Sequence, residues 1–196
     1  MEHTENITHG NAFYRQLFLK ALPTIVLVSA LGLFEVVLPQ IMSKTVWIQI
    51  VVVMALLKSF FIVRLSFNQL SKIIGQSHLL SHVLVLFGLL ITLIVLSFAT
   101  GFFAIYLIDN ESFKIGNIGY DSTFALFFEF LYFSLITFSS VGYGDVVPLS
   151  LEGKFLAMLE IVLRFFVLVF GIANINRIHV GEEENSNDKT KINENI

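Results

Sequence analysis

Residues 83 to 108, VLVLFGLLITLIVLSFATGFFAIYLI, run without a single charged side chain. A helix needs roughly 20 mostly apolar residues to cross about 30 Å of hydrocarbon, so this stretch predicts a membrane span. Stretches 21 to 38 (ALPTIVLVSALGLFEVVL), 46 to 63 (VWIQIVVVMALLKSFFIV) and 155 to 173 (FLAMLEIVLRFFVLVFGIA) predict three more. The short link LPQIMSKT makes the first two an antiparallel hairpin. A fifth apolar stretch, 124 to 138 (FALFFEFLYFSLITF), is too short to cross comfortably and runs straight into the polar, glycine-bearing sequence TFSSVGYGDVVP. Non-helical backbone at membrane depth is tolerated only where protein buries it or where it lines a water-filled cavity. A half-length helix with a glycine-rich return is therefore a re-entrant loop facing a pore.

The polar positions divide the remainder. SFNQLSKIIGQSHLLSH places Leu70, Ile73, Ile74, Leu79 and Leu80 near helical spacing, which predicts an interfacial helix on the membrane surface. GEEENSNDKTKINENI, from Gly181 onward, has almost nothing to bury and is expected to be a disordered tail. The expected organisation is an amino-terminal segment 1–18, a hairpin 19–65, an interfacial linker 66–82, a pore domain 83–175 and a tail 176–196. The opening MEHTENITHGNAFYR does not read as a cleavable signal peptide. Four crossings and one re-entrant loop put both termini on the same side. Arg15, Lys20, Lys58, Arg64, Lys72, Arg177, Lys189 and Lys191 fall on or near that side, against Lys44, Lys114 and Lys154 on the other. By the positive-inside rule both termini are cytoplasmic.

Composition sharpens the class. The 196-residue chain is 56% apolar and only 14% charged, whereas an ordinary soluble domain carries about a quarter charged residues. The mean hydropathy of +0.81 agrees, and the expected fold class is an all-α, multi-pass integral membrane protein surrounded by lipid. The absence of cysteine excludes disulfides and thiolate metal sites. His78 and His82 have metal-compatible helical spacing but no further ligands nearby, so a polar interfacial face is expected there. His3, His9 and His179 are candidate reporters of cytoplasmic pH. No cluster of His, Asp or Glu converges in the spans, and no second related half suggests an inverted-repeat carrier. Neither an enzyme, a cofactor nor a nucleic-acid partner is expected.

Thr137 to Pro148, with the pattern T-x-x-S-V-G-Y-G-D after a short helix, resembles the signature of potassium channels. The resemblance covers residues 83 to about 175 as outer helix, pore helix, selectivity filter and inner helix, and leaves residues 1 to 82 outside it. It implies that the carbonyls of Ser140, Val141, Gly142 and Tyr143 bind K⁺ as the permeant ion, with Gly144 completing the filter and the Ser140 hydroxyl forming the innermost ring. A dehydrated ion needs such oxygens in place of its water. Pointing successive carbonyls one way requires alternating backbone hand, which glycine adopts at least cost; Gly142 and Gly144 meet that need. Thr137, Tyr132 and Asp145 are the expected filter supports, and Tyr143 is expected to brace the filter against the pore helix. Most relatives have threonine at Ser140, many have a tryptophan pair at Tyr132 and Phe133, and some pair Asp145 with a carboxylate at the position of Ile136. Here Asp145 is left to take a donor from Tyr132 or the backbone. Asp121 and Ser122 are candidate caps of the pore helix.

The inner helix departs most from the family. Arg164 stands where many relatives have a hinge glycine, with Glu160 one turn before it. Charge at this depth is costly and usually paired, and the i, i+4 spacing predicts a Glu160–Arg164 face, either a structural lock or a gating element. Phe165, Leu168, Val169 and Ile172 are expected to line a hydrophobic cavity, away from which the arginines are expected to point. Glu35 is a candidate partner for Lys58, while Lys58 and Arg64 are expected to snorkel, since the regular arginine ladder of a voltage sensor is missing. The resemblance implies a homotetrameric, K⁺-selective channel of the plasma membrane with little intrinsic voltage dependence. A non-selective cation channel and a non-conducting or regulatory membrane subunit are the alternatives. Gating would then come from the hairpin, the linker, the tail or a separate regulatory protein.

Overall fold

The computed structural model describes the backbone of residues 2–37, 43–76, 80–116 and 122–169, and their side chains except at 2–17, 20 and 69–83. The architecture is mostly helical. In chain order come α1 (Glu2–Val37), α2 (Lys44–Gln76), α3 (Leu80–Ile108), a 3-10 turn (Asn110–Ser112), β1 (Phe113–Lys114), α4 (Thr123–Ser139) and β2 (Val147–Pro148). A last helix, α5, occupies 151–169.

Two helices, at Lys44–Asn68 and Leu84–Ile108, are long and apolar enough to cross a membrane by length and composition. α4, with 17 residues, is about 25 Å long at 1.5 Å per residue and falls short of the hydrocarbon thickness. The expected boundaries differ in two places. α1 begins at Glu2 and α2 continues through Gln76, so residues 66–76 extend the second span instead of starting a separate interfacial helix. No proline interrupts 44–76, and Gly75 is the first glycine in that stretch. Nothing there breaks the hydrogen-bond ladder before its end.

α3 lies at the centre, packed against α1, α2 and α4. Its residues Leu90, Ile94, Phe98, Ala99, Phe102 and Ile105 are buried. Close approach of α1 depends on Gly32, where an added Cβ would meet the Thr100 Oγ1 at 2.9 Å. Beside this contact, Lys58 Nζ donates to Glu35 Oε2 at 2.7 Å, to the Ser97 carbonyl at 2.9 Å and to Thr100 Oγ1 at 3.3 Å. Lys58 therefore does not snorkel. Its side chain is 1% exposed, and Glu35 gives it a countercharge within the helix layer that solvent would otherwise supply. Arg64, by contrast, is exposed.

The other side of α3 holds an aromatic cluster. Phe102 meets Phe133 edge-on with ring centroids 4.9 Å apart, and Phe113 meets Phe130 at 5.1 Å. Each such pair contributes about 0.5–1.5 kcal/mol beyond its buried area, which fixes α4 against α3. β1 and β2 pair antiparallel, Phe113 opposite Pro148 and Lys114 opposite Val147. The Leu149 N–H donates to the Ser112 carbonyl at 2.8 Å. The segment leaving the glycine-rich loop is thereby tied to the end of α3 before α5 begins.

Candidate functional site: the end of the pore helix and its return

α4 starts where the sequence places it. Ser122, in extended conformation, accepts the Ala125 N–H at 3.1 Å and caps the helix; Asp121 lies outside the described residues. The other end is a Schellman closure. The Ser140 N–H donates to Thr137 O and the Val141 N–H to Ile136 O, both at 3.0 Å. Ser140 itself is left-handed, at φ 58 and ψ 31.

Gly142 and Gly144 follow with φ 61 and 78, so every second residue from 140 to 144 has positive φ. An added Cβ at either glycine would meet nothing within 4 Å. Conformation rather than space demands glycine there. Ser140 was expected as a ligand, but its left-handed backbone was not. Serine takes the left-handed hand at a cost of about 1–2 kcal/mol, and no composition signal marks it. The two closing hydrogen bonds of α4 hold it there.

Behind the loop, Tyr132 Oη donates to Asp145 Oδ2 at 2.7 Å, and the Val146 N–H donates to Asp145 Oδ1 at 3.0 Å. The Tyr132 hydrogen bond is the leading reason the Asp145 carboxyl lies below its ordinary value of 3.8. Phe133 is buried in the aromatic cluster, Ile136 is buried and Thr137 partly so. Val141 and Tyr143 are 51% and 72% exposed in the single chain, so Tyr143 is not packed against its own pore helix.

The expected Glu160–Arg164 pair does not form. Glu160 is fully buried and accepts the Ser134 hydroxyl at 2.5 Å. That hydroxyl also lies 3.0 Å from the Val95 carbonyl, so one serine of α4 touches both α3 and α5. Arg164 Nη1 instead donates to Ser140 Oγ, and its guanidinium lies 5.0 Å over the Phe165 ring. Four residues advance a helix by about 400°, which turns Arg164 some 40° away from Glu160 and toward the end of α4. The arginine thus reaches the glycine-rich loop that it was expected to avoid. Phe165, Leu168 and Val169 are exposed in the single chain. Ile172, His78 and His179 lie outside the described residues, as do the side chains of His3, His9 and His82.

The short helix α4, a return loop of alternating hand and the two flanking helices α3 and α5 form one continuous unit. Residues 90–180 match a family model described as "Ion channel", which covers this unit and supports a membrane protein of the ion-channel class. No curated protein and no solved structure matches the chain.

Proposed function

We propose that the chain is the subunit of a homotetrameric, potassium-selective channel of the plasma membrane, with both termini cytoplasmic and K⁺ passing passively. The observation that carries this reading is the alternation of backbone hand at Ser140, Gly142 and Gly144 within T-x-x-S-V-G-Y-G-D. Such alternation is what stacked carbonyls need in order to face one axis. The ligands of the ion are the carbonyls of Ser140, Val141, Gly142 and Tyr143, with the Ser140 hydroxyl innermost; Thr137, Tyr132 and Asp145 support them. One loop cannot encircle an ion, so four copies are required. Met158, Val162, Phe165 and Val169 expose a continuous apolar face on α5 in the single chain, which suits a cavity and its subunit seams. No covalent chemistry and no cofactor enter the cycle.

The test is K⁺ flux in liposomes containing the purified full-length protein. K⁺ should pass in clear preference to Na⁺ under equal gradients, and Gly142→Ala should abolish flux while leaving the assembly intact. Alanine fits the space at 142 but not the conformation. Equal Na⁺ and K⁺ flux, or flux that survives in G142A, sinks the reading. The left-handed Ser140 at the innermost ring favours a second reading, a non-selective cation channel, because serine lacks the methyl that restricts the threonine rotamer. Reversal potentials separate the two.

A further inference from the structure

Glu160 cannot neutralise Arg164, because Ser134 holds its carboxylate on α4. Among the described residues, no carboxylate lies within salt-bridge distance of the guanidinium. What faces it is the end of α4. Ser140, its hydrogen-bond partner, is the capping residue. Ser140 follows directly on the last carbonyls of the helix: Ile136 O and Thr137 O accept from the closing N–H groups, and Leu135 O accepts the Ser139 hydroxyl at 2.8 Å. A helix carboxyl end carries roughly half a negative charge and favours a cation. Here that cation belongs to the chain. α5 is fastened to α4 at two levels, Ser134 to Glu160 and Ser140 to Arg164, and the Phe165 ring lies beneath the guanidinium. The position of the charge is therefore set by the fold as well as by the reach of a long side chain.

We infer that Arg164 is a tethered cation at the inner end of the filter, occupying by its own charge the place where a permeant ion would wait before entering from the cytoplasmic side. This rests on the assignment of residues 140–144 as the filter. In a fourfold assembly, four permanently charged guanidiniums ring the inner mouth. They oppose entry of K⁺ from inside and exclude larger internal cations, while leaving the filter's choice between K⁺ and Na⁺ unchanged. Arg164 thus acts as a conductance-setting and blocker-specificity residue that touches the innermost ligand, the Ser140 hydroxyl, without itself coordinating the ion.

The experiment compares full-length native protein, Arg164→Gln and Arg164→Lys in planar bilayers. The readouts are outward single-channel K⁺ conductance, block by internal tetraethylammonium, and the K⁺/Na⁺ reversal potential. Removing the charge should raise conductance several-fold and tighten the block by roughly tenfold. R164K should stay within about twofold of native on both, because it keeps the charge. A native channel that is silent beside a conducting R164Q also supports the inference. A K⁺-selective R164Q with native conductance and native block overturns it. Absence of K⁺ selectivity, or of current, in all three proteins overturns the filter assignment and the inference together. If R164Q does not assemble, the native channel decides: resistance to millimolar internal tetraethylammonium supports the tethered charge, and tight block overturns it.

Discussion

The α1–α2 hairpin and the α3–α5 unit each bury one carboxylate completely; each leaves one oxygen, Glu35 Oε1 and Glu160 Oε2, without a partner, and they engage the other oxygen in opposite ways. Glu35 of α1 meets a lysine at 2.7 Å, forming a closed ion pair between two helices of the hairpin. Glu160 of α5 meets only a serine hydroxyl, although an arginine stands one turn away on its own helix. The contrast teaches that spacing proposes a pair and competing acceptors decide it. Lys58 has no better partner than Glu35, whereas the end of α4 draws Arg164 away. The two systems converge on one stretch of α3. Lys58 binds the Ser97 carbonyl and Ser134 the Val95 carbonyl, so the hairpin and the pore helix hold neighbouring residues of the same helix.

The largest effect belongs to the hairpin. Removing one member of a buried ion pair leaves an uncompensated charge and costs about 3–5 kcal/mol, whereas replacing both with well-packed neutral groups is often nearly neutral. Lys58→Met alone should therefore lower the unfolding stability of the detergent-solubilised protein by that amount, with Glu35→Gln close behind. The double variant should recover most of the loss. A double variant no better than the worse single one would show that Lys58 acts mainly through α3 at Ser97 and Thr100, and that the ion pair is secondary.

How much of this was legible in the sequence follows the range of each interaction. The second and third spans, the half-length α4 and its Ser122 cap depend on local hydrophobicity and near-neighbour hydrogen bonds, and they lie close to where the pattern put them, although α2 runs on past its expected end and the apolar stretch of α1 is shorter than a full crossing. Gly142 and Gly144 were legible because left-handed backbone leaves a compositional trace. Ser140 left none, since its conformation is imposed by the closure of α4 and not by its own preference. The Tyr132–Asp145 bond was legible as one option because the expected carboxylate at Ile136 was visibly missing. The partners of Glu160 and Arg164 were not, for they sit on α4, more than twenty residues earlier, and only tertiary packing brings them to α5. Lys58 was half legible: Glu35 stood as a candidate partner and the pair forms, but snorkelling was also expected, because the Ser97 carbonyl and the Thr100 hydroxyl that help to bury the lysine come from a third helix.

A smaller effect tests the α3–α5 half of the comparison. Ser134→Ala removes the hydroxyl that lies against both Glu160 and the Val95 carbonyl, leaving the second Glu160 oxygen as unpartnered as Oε2 already is, and should cost about 1–3 kcal/mol. Glu160→Gln should cost well under that, because an amide keeps the size and can still hydrogen-bond Ser134. Thermal unfolding of both, beside E35Q, gives the decisive ordering: E160Q should be much milder than E35Q. Equal losses would mean that Glu160 needs its charge, and that the two carboxylates are not held by different principles.

The smallest effect comes from a pair with almost the same geometry as the buried one. Lys44, at the start of α2, lies 2.8 Å from Asp109 just past α3, with Lys44 56% exposed. Water and salt screen this pair, so Lys44→Ala should change stability by less than about 1 kcal/mol, several times less than Lys58→Met despite a difference of only 0.1 Å in distance. The Lys44 hydrogen bond is the leading cause that holds the Asp109 carboxyl below 3.8. A depressed folded value means the contribution is present above 3.8 and is lost as pH falls through that lower folded value. In K44A the Asp109 titration, followed by carboxyl NMR, should therefore move up toward 3.8, and its stability curve should flatten in the acid range. High salt should reproduce most of the shift in the native protein and leave the Lys58 pair untouched. If K44A instead costs as much as K58M, burial is not what separates the two pairs, and the hairpin's ion pair loses its special standing.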